Sequence, residues 1–113
     1  MNREPPKPPF PELERRPPGS FGWLDARLLQ QGWLELLGPE PTAVLALLAI
    51  AADHAGASFY RRDTMALRLS MPRDEVDWAL RRLVELGLVA HRPWKTGMVD
   101  GVWQLLPLPP CRP

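Results

Sequence analysis

The chain has 113 residues, of which 45% are apolar, and carries 14 Lys and Arg side chains against 13 Asp and Glu. This length provides one modest hydrophobic core, which excludes two globular domains and a domain that encloses a large cofactor. Cys111 has no second cysteine to pair with, which excludes a disulfide framework and a thiolate zinc site within one protomer.

Hydropathy indicates a cytoplasmic protein. The longest run without a charge, residues 41–52, has 12 residues, whereas a bilayer span needs about 20. The proline-rich start lacks the apolar centre of a signal peptide. We therefore expect no membrane segment. The unpaired Cys111 indicates a reducing compartment.

Prolines divide the chain into three parts. Seven of the 15 lie before residue 19 and four lie after residue 106. Because proline fixes φ and donates no backbone hydrogen bond, these ends cannot form helix interiors or central strands. We predict a flexible arm over residues 1–20, a packed domain over 21–106 and a tail over 107–113. The arm could also serve as a PxxP ligand, although a solvated arm is the commoner case.

The first half of the domain reads as helical. Residues 21–37 predict a short helix plus an irregular stretch. A second helix should begin at Gly38-Pro39, since prolines suit the first turn, and run through a nearly all-apolar segment to Asp53, with Gly56 as its stop.

The next segment reads as two helices joined by a tight turn. Asp63 is predicted to cap a short helix over residues 64–69, and Ser70-Met71-Pro72 should form the turn. A longer helix over residues 73–86 follows, because apolar residues recur at three- and four-residue spacing, and Gly87 is its expected left-handed stop.

The remainder predicts a β-hairpin. Residues 88–92 and 102–106 are strand-like, and residues 95–101 lie between them. Gly97 and the Asp100-Gly101 pair supply the turn residues.

This order of elements resembles a winged helix-turn-helix domain over residues 39–106, similar to small modules of bacterial and phage transcription regulators and replication initiators. The residues that carry the resemblance are Thr64, Met65, Ala66, Leu69, Met71, Val76, Leu80, Leu83, Gly87 and Leu88. The resemblance implies a mainly α fold with a small β-hairpin (α+β), preceded here by an extra N-terminal segment. It also implies that residues 73–86 are the recognition helix, that residues 95–101 are the wing, and that double-stranded DNA is the partner.

Helical geometry then selects the candidate contacts. With Val76, Leu80 and Leu83 facing inward, the outward face and its flank carry the base-edge candidates Arg73, Asp77, Trp78 and Arg81. Residues 59–95 have a net charge of +3, which is weakly basic. The phosphate candidates are Arg61, Arg62, Arg68 and Lys95, with an ordinary solvated surface as the alternative.

Three carboxylates depart from the usual pattern of a groove-facing helix. Asp74, Glu75 and Asp77 near phosphates would repel them, but at a helix N-terminus they also favour the macrodipole. An i,i+4 ion pair of Asp77 with Arg81 is the simplest expectation. An exposed Trp78 is more typical of a protein contact or of a side chain that covers the wing.

Two functions remain open. The first is a DNA-binding module for transcription regulation or replication initiation. The second is an interaction module, with a protein partner at Trp78 or a homodimer through Trp23, Trp33 and the leucines of the N-terminal segment. We expect no enzyme and no cofactor, because the sequence has no glycine-rich phosphate loop, nucleophile elbow or paired-carboxylate arrangement. We also expect no metal site, because His54 and His91 have no partners at metal-ligand spacing.

Overall fold

The structure, a computed structural model, describes residues 5–93 and 100–113. Within them lie five helices and three strands: α1 (Arg27–Gln30), α2 (Trp33–Leu37), α3 (Pro39–Ala51), β1 (Ala57–Ser58), α4 (Arg62–Leu69), α5 (Arg73–Glu85), β2 (Val89–Arg92) and β3 (Val102–Leu105). The strands form an antiparallel sheet in the order β1-β3-β2. Helices α3, α4 and α5 together with this small sheet make a winged helix-turn-helix fold of the α+β class, as predicted.

Helix α3 lies at the centre of the domain. It begins as predicted, with Gly38 at the N-cap and prolines in its first turn. Its buried side chains are Pro41, Val44, Leu45, Leu48 and Ala49. It ends at Ala51, two residues before the predicted end and well before Gly56. The Asp53 carboxylate instead accepts the backbone N–H groups of Ala55 and Ala57, at 2.9 and 3.0 Å, which turns the chain into β1.

Helices α4 and α5 are joined by the predicted turn. Ser70 adopts the left-handed conformation with φ 52°. Its N–H donates to the carbonyl of Leu67, and the N–H of Met71 donates to that of Ala66. These two bonds satisfy carbonyls at the end of α4, so the chain can reverse before Pro72 starts α5. The predicted cap was wrong: α4 begins at Arg62, and Asp63 lies inside the first turn.

Helix α5 is seated by its apolar stripe. Val76, Ala79 and Leu83 are fully buried, and Leu80 is nearly so. Gly87, with φ 78°, ends the helix as predicted. Its N–H donates to the Val84 carbonyl and that of Leu88 donates to Leu83, the paired bonds of a left-handed helix stop.

The predicted hairpin is confirmed as β2 and β3, where His91 lies opposite Trp103. The short strand β1 was not predicted, and it pairs Ser58 with Trp103 on the other edge of β3. Of the predicted wing, residues 95–99, including Lys95 and Gly97, lie outside the described residues.

The N-terminal segment adds part of the core. Leu28, Trp33 and Leu37 are buried, whereas residues 5–20 are exposed and contain neither helix nor strand. In the tail, Leu108 packs on the core and the Arg112 guanidinium donates to the Gly32 carbonyl at 3.4 Å. The boundaries at residues 20 and 106 stay predictions. Among the described residues, every helix is too short or too polar to cross a bilayer.

Candidate nucleic-acid interface

The outward face of α5 is accessible to a partner. Trp78 is 47% exposed and Arg81 is exposed as well, on the side away from the buried stripe. Arg73, in the first turn, is also exposed, while Asp77 is half-buried. The structure therefore brings all four base-edge candidates to one helix face.

Five charged side chains form a continuous series of ion pairs between α4, α5 and the sheet. In order they are Asp63, Arg73, Asp77, Arg62 and Asp100, which we call the ion-pair chain. Nε of Arg73 lies 3.1 Å from Asp77 Oδ1, and Nε of Arg62 lies 3.4 Å from the same oxygen. The predicted pair of Asp77 with Arg81 is not among these contacts, because Asp77 already lies between the two other arginines.

The ion-pair chain is slightly acidic. Three carboxylates against two guanidinium groups leave one net negative charge, and the exposed Asp74 and Glu75 lie on the same first turn of α5. The N-terminal end of the helix therefore presents more negative than positive charge. Such an end repels phosphate unless the arginines are released from their partners.

Asp100 is the last member of the ion-pair chain and lies in the predicted wing. Its side chain is 5% exposed. One carboxylate oxygen accepts the backbone N–H of Arg62 at 2.8 Å, and the other accepts from Arg62 Nη1 at 2.5 Å. Burial alone would raise the pKa of Asp100, but the hydrogen bonds and the positive charge of Arg62 outweigh it and hold the pKa below its usual value.

Trp103 fills the space next to Asp100. The buried indole stacks on His91, with ring centroids 3.9 Å apart and planes 17° apart. The Arg62 guanidinium carbon lies 4.9 Å from the indole centroid, within the range of a cation–π contact. His91 Nε2 lies 2.6 Å from the backbone carbonyl oxygen of Asp100 and can donate a hydrogen bond to it. Ring stacking and hydrogen bonds thus fix where the hairpin meets α4.

These contacts change the role expected for Arg62. Sequence reasoning placed it among the phosphate candidates, but its side chain is 24% exposed and touches Asp77, Asp100 and Trp103. The sequence also did not predict that Asp100, His91 and Trp103 hold the hairpin against α4. An Asp-Gly pair is typical of a turn, and nothing local reveals a partner 38 positions away.

Between residues 59 and 92, four exposed arginines form no ion pair with any described residue. We call them the unpaired arginines: Arg61, Arg68, Arg81 and Arg92. All four are exposed, and three of them were predicted candidates. Arg92 was not predicted; it is the last residue of β2 and precedes the predicted wing.

Between α5 and the hairpin lies an open cleft of about 480 Å³. Its walls include Arg81 and Glu85 from α5 and His91 from β2. Among the described residues, no group of three or more His, Cys, Asp or Glu side chains is arranged to hold a metal ion.

Comparison with known proteins adds little to this geometry. No family model matches the chain, and no curated protein matches it. A solved structure of a MarR family regulator from Neisseria meningitidis is similar at 19% identity and a TM-score of 0.48. The similarity covers 69% of this chain and 52% of that one, so the chain spans about half the length of the regulator. Similarity at this level carries no conclusion about function, and the winged helix-turn-helix assignment rests on the arrangement of α3, α4, α5 and the sheet.

Proposed function

We propose that the protein binds double-stranded DNA through α5 and the wing, as a transcription regulator. The observation that carries this proposal is the outward face of α5, where Trp78 and Arg81 are exposed, together with the exposed, unpaired Arg61, Arg68 and Arg92 on the neighbouring parts of the chain. Helix α5 has 13 residues. A major groove about 12 Å wide accepts one helix, which presents its first turns to base edges.

The residues divide into two roles. Arg73, Asp77, Trp78 and Arg81 meet base edges. Arg61, Arg68 and Arg92 contact phosphates, together with Lys95 in the wing, whereas Arg62 acts mainly by joining α4 to the hairpin. With about three or four phosphate contacts, the logarithm of the affinity should fall with the logarithm of salt concentration with a slope near −3. Neither the structure nor the comparison supports the predicted replication-initiation role.

The test is a fluorescence-anisotropy titration with mixed-sequence duplex DNA at several salt concentrations. We expect salt-dependent binding that weakens several-fold in Arg81→Gln and Arg68→Gln. Arg112→Gln, which removes an exposed charge from the tail, is the matched control and should bind as the wild type does. No binding at tens of micromolar protein, or binding that salt does not affect, would refute the proposal.

A second candidate function is protein binding at Trp78. It is favoured by an exposed indole beside the carboxylates of Asp74 and Asp77, since exposed aromatic side chains are enriched at protein interfaces. Trp78→Ala separates the two functions. If Trp78 serves only a protein partner, the variant keeps wild-type affinity for DNA, whereas a base contact predicts weaker DNA binding.

We also propose that the N-terminal segment forms a homodimer. Phe21, Trp23 and Ile50 are 64%, 74% and 71% exposed. A Cβ on Gly22 would lie 2.3 Å from the Ala49 carbonyl oxygen, so the segment runs directly against the end of α3. Trp33 was expected at the same interface, but it is fully buried within its own chain and cannot contribute.

Light scattering tests the homodimer. A dimer that Trp23→Ser dissociates supports it, with Leu67→Ser as the control because Leu67 is equally exposed but lies on α4. A strict monomer at high concentration would exclude it. A dimer would also double the number of phosphate contacts available to DNA.

A further inference from the structure

The Arg73 guanidinium is held by carboxylates from two helices. Its Nη1 donates to Asp63 of α4, and its Nε donates to Asp77 of α5 at 3.1 Å. Arg73 is 44% exposed and Asp63 is 68% exposed, so this pair lies at the surface. It also lies at the end of α5 that the proposed function places deepest in the groove.

The fold does not depend on the contact between Asp63 and Arg73. Exposed ion pairs contribute little to stability because water screens them. The two helices are already joined by buried Met65 on one side and by Val76 and Leu80 on the other. The fold therefore does not need the pair of Asp63 with Arg73, and the pair can serve another function.

Carboxylate and DNA compete for the same donors. A guanidinium recognises guanine or phosphate with two parallel N–H groups. In the structure, Asp63 and Asp77 already take one donor from each end of the fork. Each parallel pair of N–H groups in a guanidinium includes Nε or Nη1, so a two-pronged contact to DNA competes with Asp77 or with Asp63 for one of these nitrogens. Asp63 is the more exposed of the two, whereas Asp77 also contacts Arg62.

We propose that Asp63 is an internal competitor of DNA for Arg73. This inference rests on the proposed function and adds a mechanism that regulates the affinity for DNA. In the free protein Asp63 keeps Arg73 paired, and binding to DNA exchanges the carboxylate for an acceptor on the duplex. The exchange lowers the affinity for DNA, because the pair with Asp63 must break before Arg73 can contact the duplex.

The experiment compares Asp63→Asn with Asp74→Asn. Both substitutions remove one exposed carboxylate near α5, but only Asp63 forms an ion pair with a described residue. Affinity for mixed-sequence duplex DNA is measured by anisotropy between about 50 and 200 mM salt. We expect D63N to bind about two- to fivefold more tightly than D74N, the range set by an exposed ion pair. Equal affinities of the two variants for DNA would overturn the proposal.

A second experiment repeats the comparison of D63N with D74N in a protein that also carries Arg73→Gln. In this background D63N should gain no more affinity than D74N, because the competed side chain is absent. A gain that persists without Arg73 would show that Asp63 acts only through general repulsion, and would overturn the proposal.

The two proposals fail in different ways. A wild-type protein that binds DNA, with D63N and D74N equal, leaves DNA binding intact and removes only the competition. If neither the wild type nor D63N binds DNA, the proposed function fails and the competition fails with it. Circular dichroism at the titration concentration checks that the variants are folded.

Discussion

Asp100 caps a helix that begins 38 positions earlier in the chain. Its Oδ2 accepts the backbone N–H of Arg62, the first residue of α4, at 2.8 Å, and its Oδ1 accepts from the side chain of the same residue. The N-terminal amides of a helix have no partner within the helix, so a carboxylate there satisfies a donor and favours the macrodipole. In this protein the cap comes from the wing. The same contact therefore caps α4 and holds the hairpin in position against that helix.

We expect Asp100→Ala to lower the free energy of unfolding by about 2–3 kcal/mol, because the cap is lost and the partly buried Arg62 loses its main counter-charge. Asp100→Asn should cost less, since its amide oxygen can still accept the backbone N–H. Urea denaturation followed by tryptophan fluorescence measures both. Asp74→Asn, an exposed residue of the same charge, is the control and should change the value by less than about 0.5 kcal/mol. A value for D100A within that range would contradict this account of the cap.

Acid should weaken the same contact. The pKa of Asp100 is lowered in the folded protein, so its stabilising effect is complete above the unfolded value of about 3.9 and is lost as pH falls through the folded value. Asp25 and Asp53 have lowered pKa values as well, the first through Arg27 and the second through backbone N–H groups, and they titrate in the same range. The informative quantity is thus the difference between the wild type and D100N. This difference should be constant near neutral pH and should shrink below about pH 4. A difference that is unchanged down to pH 2 would show that the charge of Asp100 does not stabilise the fold.

The sequence predicted the elements that short-range patterns determine. Helix α5 follows from the spacing of Val76, Leu80 and Leu83, and its end follows from Gly87. The start of α3 at Gly38-Pro39 and the two strands of the hairpin were predicted for the same reason. The outward position of Trp78 and Arg81 needed only helical geometry once the apolar stripe was known.

Contacts between distant residues could not be predicted in this way. The cap from Asp100 to Arg62 and the pair of Arg73 with Asp63 depend on how α4, α5 and the hairpin pack together. Strand β1 has two residues, too few to show an alternating pattern. For Asp77, helical spacing allowed two arginines, Arg73 and Arg81, and the structure pairs it with Arg73 and with Arg62 of α4.

Gly101 should not tolerate a side chain. Its φ is 68°, and a Cβ there would lie 2.2 Å from the Arg92 carbonyl oxygen and 2.9 Å from Pro93 Cα. Both are backbone atoms of the facing strand end, so the hairpin itself would have to move. We expect Gly101→Ala to lower the free energy of unfolding by more than about 2 kcal/mol, measured by urea denaturation.

Two other glycines serve as controls for that measurement. Gly87 also has a positive φ, but a Cβ there would approach only the side chain of Pro109, at 3.9 Å. Gly87→Ala should therefore cost about 1–2 kcal/mol, from backbone strain alone. Gly19 has no atom within 4 Å, and Gly19→Ala should have no measurable effect. If G101A costs no more than G87A, the close approach to the Arg92 carbonyl does not constrain the wing.

Ser70 is the described residue other than glycine with a positive φ, and it lies in the turn between α4 and α5. Its backbone N–H already donates to Leu67, so a glycine would keep every bond of the turn and remove the strain of a Cβ in the left-handed conformation. Part of this gain is offset, because glycine has more freedom in the unfolded chain. We expect Ser70→Gly to raise the free energy of unfolding by up to about 1 kcal/mol, measured by urea denaturation. Ser70→Ala keeps the Cβ and should stay within about 0.5 kcal/mol of the wild type. A Ser70→Gly protein that is less stable than the wild type would show that the serine itself stabilises the turn.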